Sequence, residues 1–366
     1  MNKKYPSFDF LTFILALTLT SIGLLFVLSS SYIWAEYKFD DSLYFFKRQL
    51  LFAGIGIVGM ILVSKIPYTL YKKYATLLYV GSVILLALVL VPGIGLVRGG
   101  ARSWIGIGAF SLQPSEFVKL GLIIFLAKYL SSYPKEAATF KKGIIPGLGV
   151  IGIVFLIIML QPDFGSGMVI VLTGIIMLFV CGVPIRYFMY FAGAGALGIV
   201  ALVISAPYRL ARITSYLDPW SDPLGSGFQI IQSLYAISPG GLFGAGLGNS
   251  VQKYFYLPEP QTDFIFAILS EELGFIGASL TILLFMFFFI RCVILITRVP
   301  DLFGKYIIVG IMSMLMVQVM INIGVVIGFL PVTGITLPLM SYGGSSLTIT
   351  LLSIGIILNI SRSIKS

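Results

Sequence analysis

The segment YLPEPQTDFIFAILSEELG places four carboxylates, Glu259, Asp263, Glu271 and Glu272, within a short stretch of a chain that has 14 acidic residues among 366. The chain contains no histidine, which removes the commonest general base and metal ligand. Proton transfer must then fall to carboxylates, lysines or tyrosines. Asp263 stands where a Pro-containing stretch turns into an apolar run. If it opens a helix, the macrodipole favours its ionised form; burial beside other carboxylates would raise its pKa. The sequence does not rank the two effects.

Other ionisable groups sit inside apolar runs. In QPSEFVKLG, Glu116 and Lys119 are three residues apart and share a helix face. Asp163 follows Gln161 and Pro162 in QPDFGSG. A charge at membrane depth costs about 2.5–3.5 kcal/mol or more, so each needs a partner, a wet cavity or a chemical role. Glu116, Asp163, Glu271, Glu272 and Lys119 cannot all pair among themselves, and a water-accessible cavity would accommodate them. The plainer alternative is a Glu116–Lys119 ion pair with the other acids as structural hydrogen-bonders. In VRGGARSWIG, Arg98 and Arg102 lie beside Trp104, and PYRLARITSY carries Arg209 and Arg212. Arginines suit phosphate oxygens, and lipid headgroups would attract them equally. In PLMSYGGSS, Gly343, Gly344, Ser345 and Ser346 precede an apolar run. Such a helix N-terminus binds anions, while its small residues also permit close helix packing.

The elements that must position these groups are membrane helices. The chain is 58% hydrophobic with 10% charged residues and a mean hydropathy of +1.04, beyond the range of soluble domains. Ten apolar spans are predicted, at roughly 10–28, 49–64, 75–92, 114–131, 144–160, 166–183, 187–206, 263–290, 306–328 and 342–360, making residues 1–366 one integral all-α membrane domain. The first run is expected to be a retained span, not a cleaved signal. Fifteen Lys/Arg and three Asp/Glu fall on one side of these spans, nine and eleven on the other. The positive-inside rule makes the basic side cytoplasmic, with both termini there. Basic residues scattered among short loops set topology and do not indicate nucleic-acid binding. Cys181 and Cys292 fall at cytoplasmic helix ends, where no disulfide is expected. The long connection, 207–262, lies outside, and a connection of that length is usually functional.

No GxxxxGK[ST] phosphate loop is present, so a reaction on the outer face needs a substrate that carries its own leaving group. A lipid-linked sugar diphosphate meets that need: arginines and a helix N-terminus for the diphosphate, apolar helices for the tail, and a carboxylate to deprotonate an acceptor hydroxyl. A transporter moving a charged amphiphile would use the same polar cavity and broken helices.

The motifs GGARSWIGIGAFSLQPSEFVKL, QPDFGSG, APYRLARITSYLDPWSDPLGSGFQIIQSL, YLPEPQTDFIFAILSEELG and PVTGITLPLMSYGGSS occur in an order that closely resembles the SEDS family (shape, elongation, division and sporulation), over roughly residues 10–360. The resemblance implies ten transmembrane helices with a long outer loop between the seventh and eighth. It also implies peptidoglycan glycosyltransferase activity that polymerises lipid II, the undecaprenyl diphosphate-linked disaccharide pentapeptide, with a class B penicillin-binding protein as partner. Asp263 matches the family's essential aspartate, and Glu116 and Lys119 its charged pair. Arg102, Trp104, Arg209, Arg212, Gly343, Gly344 and Ser345 are then candidate substrate-binding residues beside that pair. Asp163, Glu259, Glu271 and Glu272 are expected to support the cavity. No cofactor is required by the motifs, although a divalent cation, Mg or Mn, could share the diphosphate charge. Short cytoplasmic tails favour the sporulation branch.

Overall fold

The computed structural model describes residues 8–98, 100–107, 110–137, 139–204, 216–225 and 227–364. Each of the ten predicted spans finds a helix. In chain order these are α1 (Phe10–Phe39), α2 (Tyr44–Val63), α3 (Thr69–Leu88), α4 (Pro114–Ser132), α5 (Ile145–Met159), α6 (Phe164–Val180) and α7 (Ile185–Ile204). A short helix in the long connection, α8 (Phe228–Ile237), precedes α9 (Ile265–Arg298), α10 (Leu302–Val326) and α11 (Gly344–Ser361). Among the described residues, seven helices are able by length and composition to cross a membrane: α1, α2, α3, α5 with the Phe140–Ile144 turn ahead of it, α9, α10 and α11. Apolar α6 is shorter, at 17 residues. The chain is a multi-pass membrane protein.

Hydrophobic periodicity is weak because most helices are apolar all round, as expected where lipid and protein interior are both apolar. Burial instead follows position. In α10 and α11 about three quarters of the apolar window is buried, 78% and 72%, so these two form the centre of the bundle. Close approach holds α11 to α2: a Cβ on Gly355 of α11 would lie 2.6 Å from the Met60 carbonyl oxygen of α2, so only glycine lets those backbones touch.

The two faces of the bundle differ. On one, the Asp9 amide donates to Ser361 Oγ at 2.9 Å, Arg291 Nε donates to the Asp9 carboxylate at 3.0 Å, and the Tyr68 amide donates to Asn359 Oδ1 at 2.9 Å. The start of α1 and the ends of α9 and α11 therefore meet there, on what we call the terminal face. The opposite, loop face carries two elements absent from the all-α expectation for the connections. Three antiparallel strands, β1 (Gly95–Arg98), β2 (Ala101–Ile107) and β3 (Phe110–Leu112), form a sheet in that order, with Gly100 at φ 82° ahead of β2 supplying the left-handed residue a tight hairpin needs. The second element is α8, whose Ser233 Oγ donates to the Val326 carbonyl at the end of α10 at 2.7 Å.

Helix α9 is interrupted on the loop side at Gly274, with φ 65° and ψ −163°. Residues 241–246 fill the break: Phe275 and Ile276 amides donate to Gly241 and Leu242 carbonyls, while Ala245 and Gly246 amides donate to Glu271 and Glu272 carbonyls. The groups freed by the kink are thus paired within protein, the condition for irregular backbone at membrane depth.

Candidate active site

Asp263 lies on the loop face, two residues before α9, in a segment held by its backbone. The Gln261 carbonyl accepts from the Tyr342 amide at 2.8 Å. The Thr262 carbonyl accepts from Ser341 Oγ at 2.6 Å, and that of Asp263 from Asn322 Nδ2 at 2.7 Å. The same Asn322 amide reaches the Ile335 carbonyl at 2.7 Å, so α10 joins the Asp263 segment to the 332–336 segment that faces it. Gln49 of α2 donates to the Ser341 carbonyl at 2.9 Å. Three successive carbonyls, two fixed by the 341–342 segment and one by α10, leave the carboxyl little freedom, which is the preorganisation a catalytic group needs.

The Asp263 side chain is half-buried, with protein on most sides of the carboxyl. Burial, then the negative charges of Glu259 and Asp163, push its pKa up to about 7. An ordinary aspartate is ionised but only weakly basic at neutral pH, whereas one near 7 exchanges protons there. Exposed Glu259 opens the turn ahead of it, at φ 46°, and Thr262 Oγ1 donates to its carbonyl at 2.8 Å. Asp163 caps α6, accepting from the Ser166 amide at 3.0 Å, and Gln113 Nε2 approaches it at 3.4 Å. The chain facing Asp263 lies close against it: a Cβ on Gly334 would be 3.7 Å from Asp263 Oδ2. A Cβ on Gly165 would strike the Thr333 carbonyl at 2.6 Å, so the start of α6 lies against this same strip.

Below Gln113 on α4, Lys119 Nζ donates to Glu116 Oε1 at 2.8 Å, both buried. Gln113 to Lys119 is six residues, about 9 Å of helix. Asp263, Glu259 and Asp163 thus gather at the loop face, with a compact ion pair deeper along the helix that carries Gln113.

The FtsW/RodA/SpoVE family profile, described as a cell cycle protein, matches residues 9–366. The chain belongs to the FtsW/RodA/SpoVE family. It is 59% identical over 362 residues to stage V sporulation protein E of Bacillus subtilis (strain 168), covering 99% of each chain. It is 43% identical to a probable peptidoglycan glycosyltransferase FtsW of Saccharophagus degradans, covering 95% of this chain and 91% of that one. Among solved structures, a peptidoglycan synthase complex described as coordinating polymerization and crosslinking is similar at a TM-score of 0.81 and 33% identity, covering 97% of this chain and 98% of that one.

In this FtsW/RodA/SpoVE chain the remaining candidates take distinct places. Arg102 is exposed on β2, its stem over Gly95, and Trp104 pairs with Leu96 across the hairpin. Arg209 and Arg212 lie outside the described residues. At the start of α11 the Gly343 amide donates to Gln49 Oε1 at 3.2 Å, and a Cβ on Gly344 would strike the Phe52 ring at 2.4 Å, so packing already uses these glycines. The buried Ser345 Oγ has no hydrogen-bond partner. Among the described residues, no three of His, Cys, Asp and Glu come together as a metal-ligand set.

Glu271 and Glu272 depart from the expected support of the Asp263 cavity. Glu272 forms a fully buried ion pair with Lys253 at 2.9 Å and accepts from Ser29 Oγ of α1 at 2.7 Å. Glu271 accepts from Ser250 Oγ and, at 2.7 Å, from the Val251 amide. Both carboxylates clasp the 248–253 segment onto α9. The unread signal was Lys253, a lone lysine among apolar and aromatic residues. Sequence reasoning also passed over Asn322, Ser341 and Gln49, single polar residues in or beside apolar helices, which is where such residues carry roles.

Proposed function

We propose that this chain is a peptidoglycan glycosyltransferase that polymerises lipid II on the loop face, with that face extracytoplasmic and both termini cytoplasmic. Asp263 is the general base. Its carboxylate takes the proton from the 4-hydroxyl of the acceptor N-acetylglucosamine as that oxygen bonds to the anomeric carbon of the donor. The donor's bond to the diphosphate breaks, and undecaprenyl diphosphate leaves with the electron pair. The observation that carries this reading is a half-buried carboxyl on the loop face, fixed through three backbone carbonyls and facing Gly334. Relatives named as peptidoglycan glycosyltransferases supply the reaction class.

Lys119, Arg102, Arg209 and Arg212 are the cations from which diphosphate stabilisation would be drawn. A class B penicillin-binding protein is the proposed partner, supplying the crosslinking chemistry. The test uses purified protein with that partner and labelled lipid II in detergent, where sidedness is lost and a flippase has nothing to do. Wild type should form glycan chains while Asp263→Asn and Asp263→Ala form none yet elute and melt as wild type. Near-normal polymer from either variant removes Asp263 from the chemistry, and no polymer from wild type favours the flippase.

A further inference from the structure

A second recess opens on the loop face next to the proposed active site, with a volume of about 310 Å³. Leu224, Gly225, Phe228, Gln229, Pro258 and Val332 line it. It belongs to none of the groups assigned above. Two of its walls are continuous with the Asp263 surroundings. Pro258 directly precedes Glu259, whose charge raises the Asp263 pKa. Val332 is two residues from Gly334, which lies against Asp263 Oδ2, and two extended residues span at most about 7 Å. The opposite wall is α8, fixed to α10 by the Ser233–Val326 bond, so Phe228 and Gln229 project from an anchored element.

The lining chemistry selects the occupant. It has no charged side chain, one half-buried aromatic ring, one side-chain amide and aliphatic surface, the composition of a small-ligand pocket at the lower end of the usual size range. Resting on the glycosyltransferase reading, the substrate offers four chemistries. A prenyl tail belongs in the bilayer, a diphosphate needs cations, and a stem peptide carries carboxylates and an amine. Only the sugars are neutral, with an apolar ring face, hydroxyls and an acetamido group. We infer that the recess is a saccharide subsite that holds one N-acetylhexosamine ring of the glycan beside the reacting hydroxyl, with Phe228 against the ring face and Gln229 hydrogen-bonded to the acetamido or hydroxyl groups. Glycan held there is registered against Asp263, so the subsite contributes to binding of the reacting strand more than to the proton transfer.

The experiment measures lipid II polymerisation by Phe228→Ala and Gln229→Ala together with the partner, and saturation-transfer NMR of an N-acetylglucosamine tetrasaccharide on the same proteins and on Asp263→Asn. The expected result is a KM about tenfold higher in each variant with kcat changed less than threefold. The tetrasaccharide signal should be lost in both variants and retained in Asp263→Asn. Melting temperatures matching wild type exclude misfolding, since both side chains are only half-buried. An unchanged KM, or a tetrasaccharide signal that persists in both variants, overturns the subsite. Failure of wild type to make any polymer would instead strike at the glycosyltransferase reading, leaving the tetrasaccharide signal to judge the recess by itself.

Discussion

Asn322 Nδ2 donates to the backbone carbonyls of both Asp263 and Ile335, each at 2.7 Å. One amide on α10 therefore ties the segment that carries the carboxylate to the strip that faces it. Leaving such buried carbonyls unpaired costs about 1–3 kcal/mol each, so Asn322→Leu should loosen Asp263 while the bundle persists. We expect polymerisation by the purified complex to fall at least tenfold with the elution profile unchanged. Wild-type rates in Asn322→Leu would show that this tether is dispensable.

The pH dependence follows from the Asp263 pKa of about 7. The base form accumulates as pH rises through that value, so kcat/KM should climb across it. Burial acts first and Glu259 second. Glu259→Gln removes a like charge, lowers the Asp263 pKa and should move the acid limb to lower pH; Asp163→Asn should do so by less. A limb that stays in place in both variants would mean that another group titrates. The linked stability has the opposite sign: between the ordinary 3.8 and about 7 the folded state keeps a proton that the unfolded state has lost, so stability falls as pH rises through that window.

Lys253 and Glu272 form an ion pair with both side chains fully buried. Removing one partner strands a buried charge, at a cost of about 3–5 kcal/mol, whereas replacing both is far milder. Lys253→Met should sharply lower the melting temperature in detergent, and Lys253→Met with Glu272→Gln should recover most of the loss. A double variant no more stable than the single one would show that the pair is not the source.

Gly274 cannot be replaced cheaply. At φ 65° a side chain is strained by about 1–3 kcal/mol, and its Cβ would lie 2.4 Å from the Gly244 amide nitrogen. Gly274→Ala should therefore destabilise the protein and increase hydrogen exchange at residues 241–246. Unaltered exchange there would mean that the break and its filling segment are uncoupled.

The ten spans were legible because apolar length is a direct physical demand of the bilayer. Asp263 was legible as a carboxylate at a helix entry, and so was the Glu116–Lys119 spacing. Direction of the Asp263 shift was not, since it depends on Glu259 and Asp163 approaching from separate segments. The hairpin and α8 were hidden inside Gly- and Pro-rich connections whose pairing is tertiary. The partners of Glu271 and Glu272 were hidden for a related reason: Lys253, which pairs with Glu272, lies 19 residues from it, and Ser250 and Val251, which bond Glu271, share a segment whose path hydropathy does not describe. Asn322 looked like one polar residue in an apolar run, and only the position of two carbonyls gives it a role.

The Lys253–Glu272 pair also bears on biogenesis. When α9 is delivered from the translocon, Glu272 has to move from an aqueous exit path to a site with no exposure, a transfer that an isolated carboxylate resists. Lys253 is synthesised before it, so the counter-charge is already present when the carboxylate arrives. The two can enter as a neutral unit. Chain order thus becomes a feature of assembly: relocating residues 248–253 to the C-terminus, with every native contact still available in principle, would leave α9 to insert with its charge uncompensated.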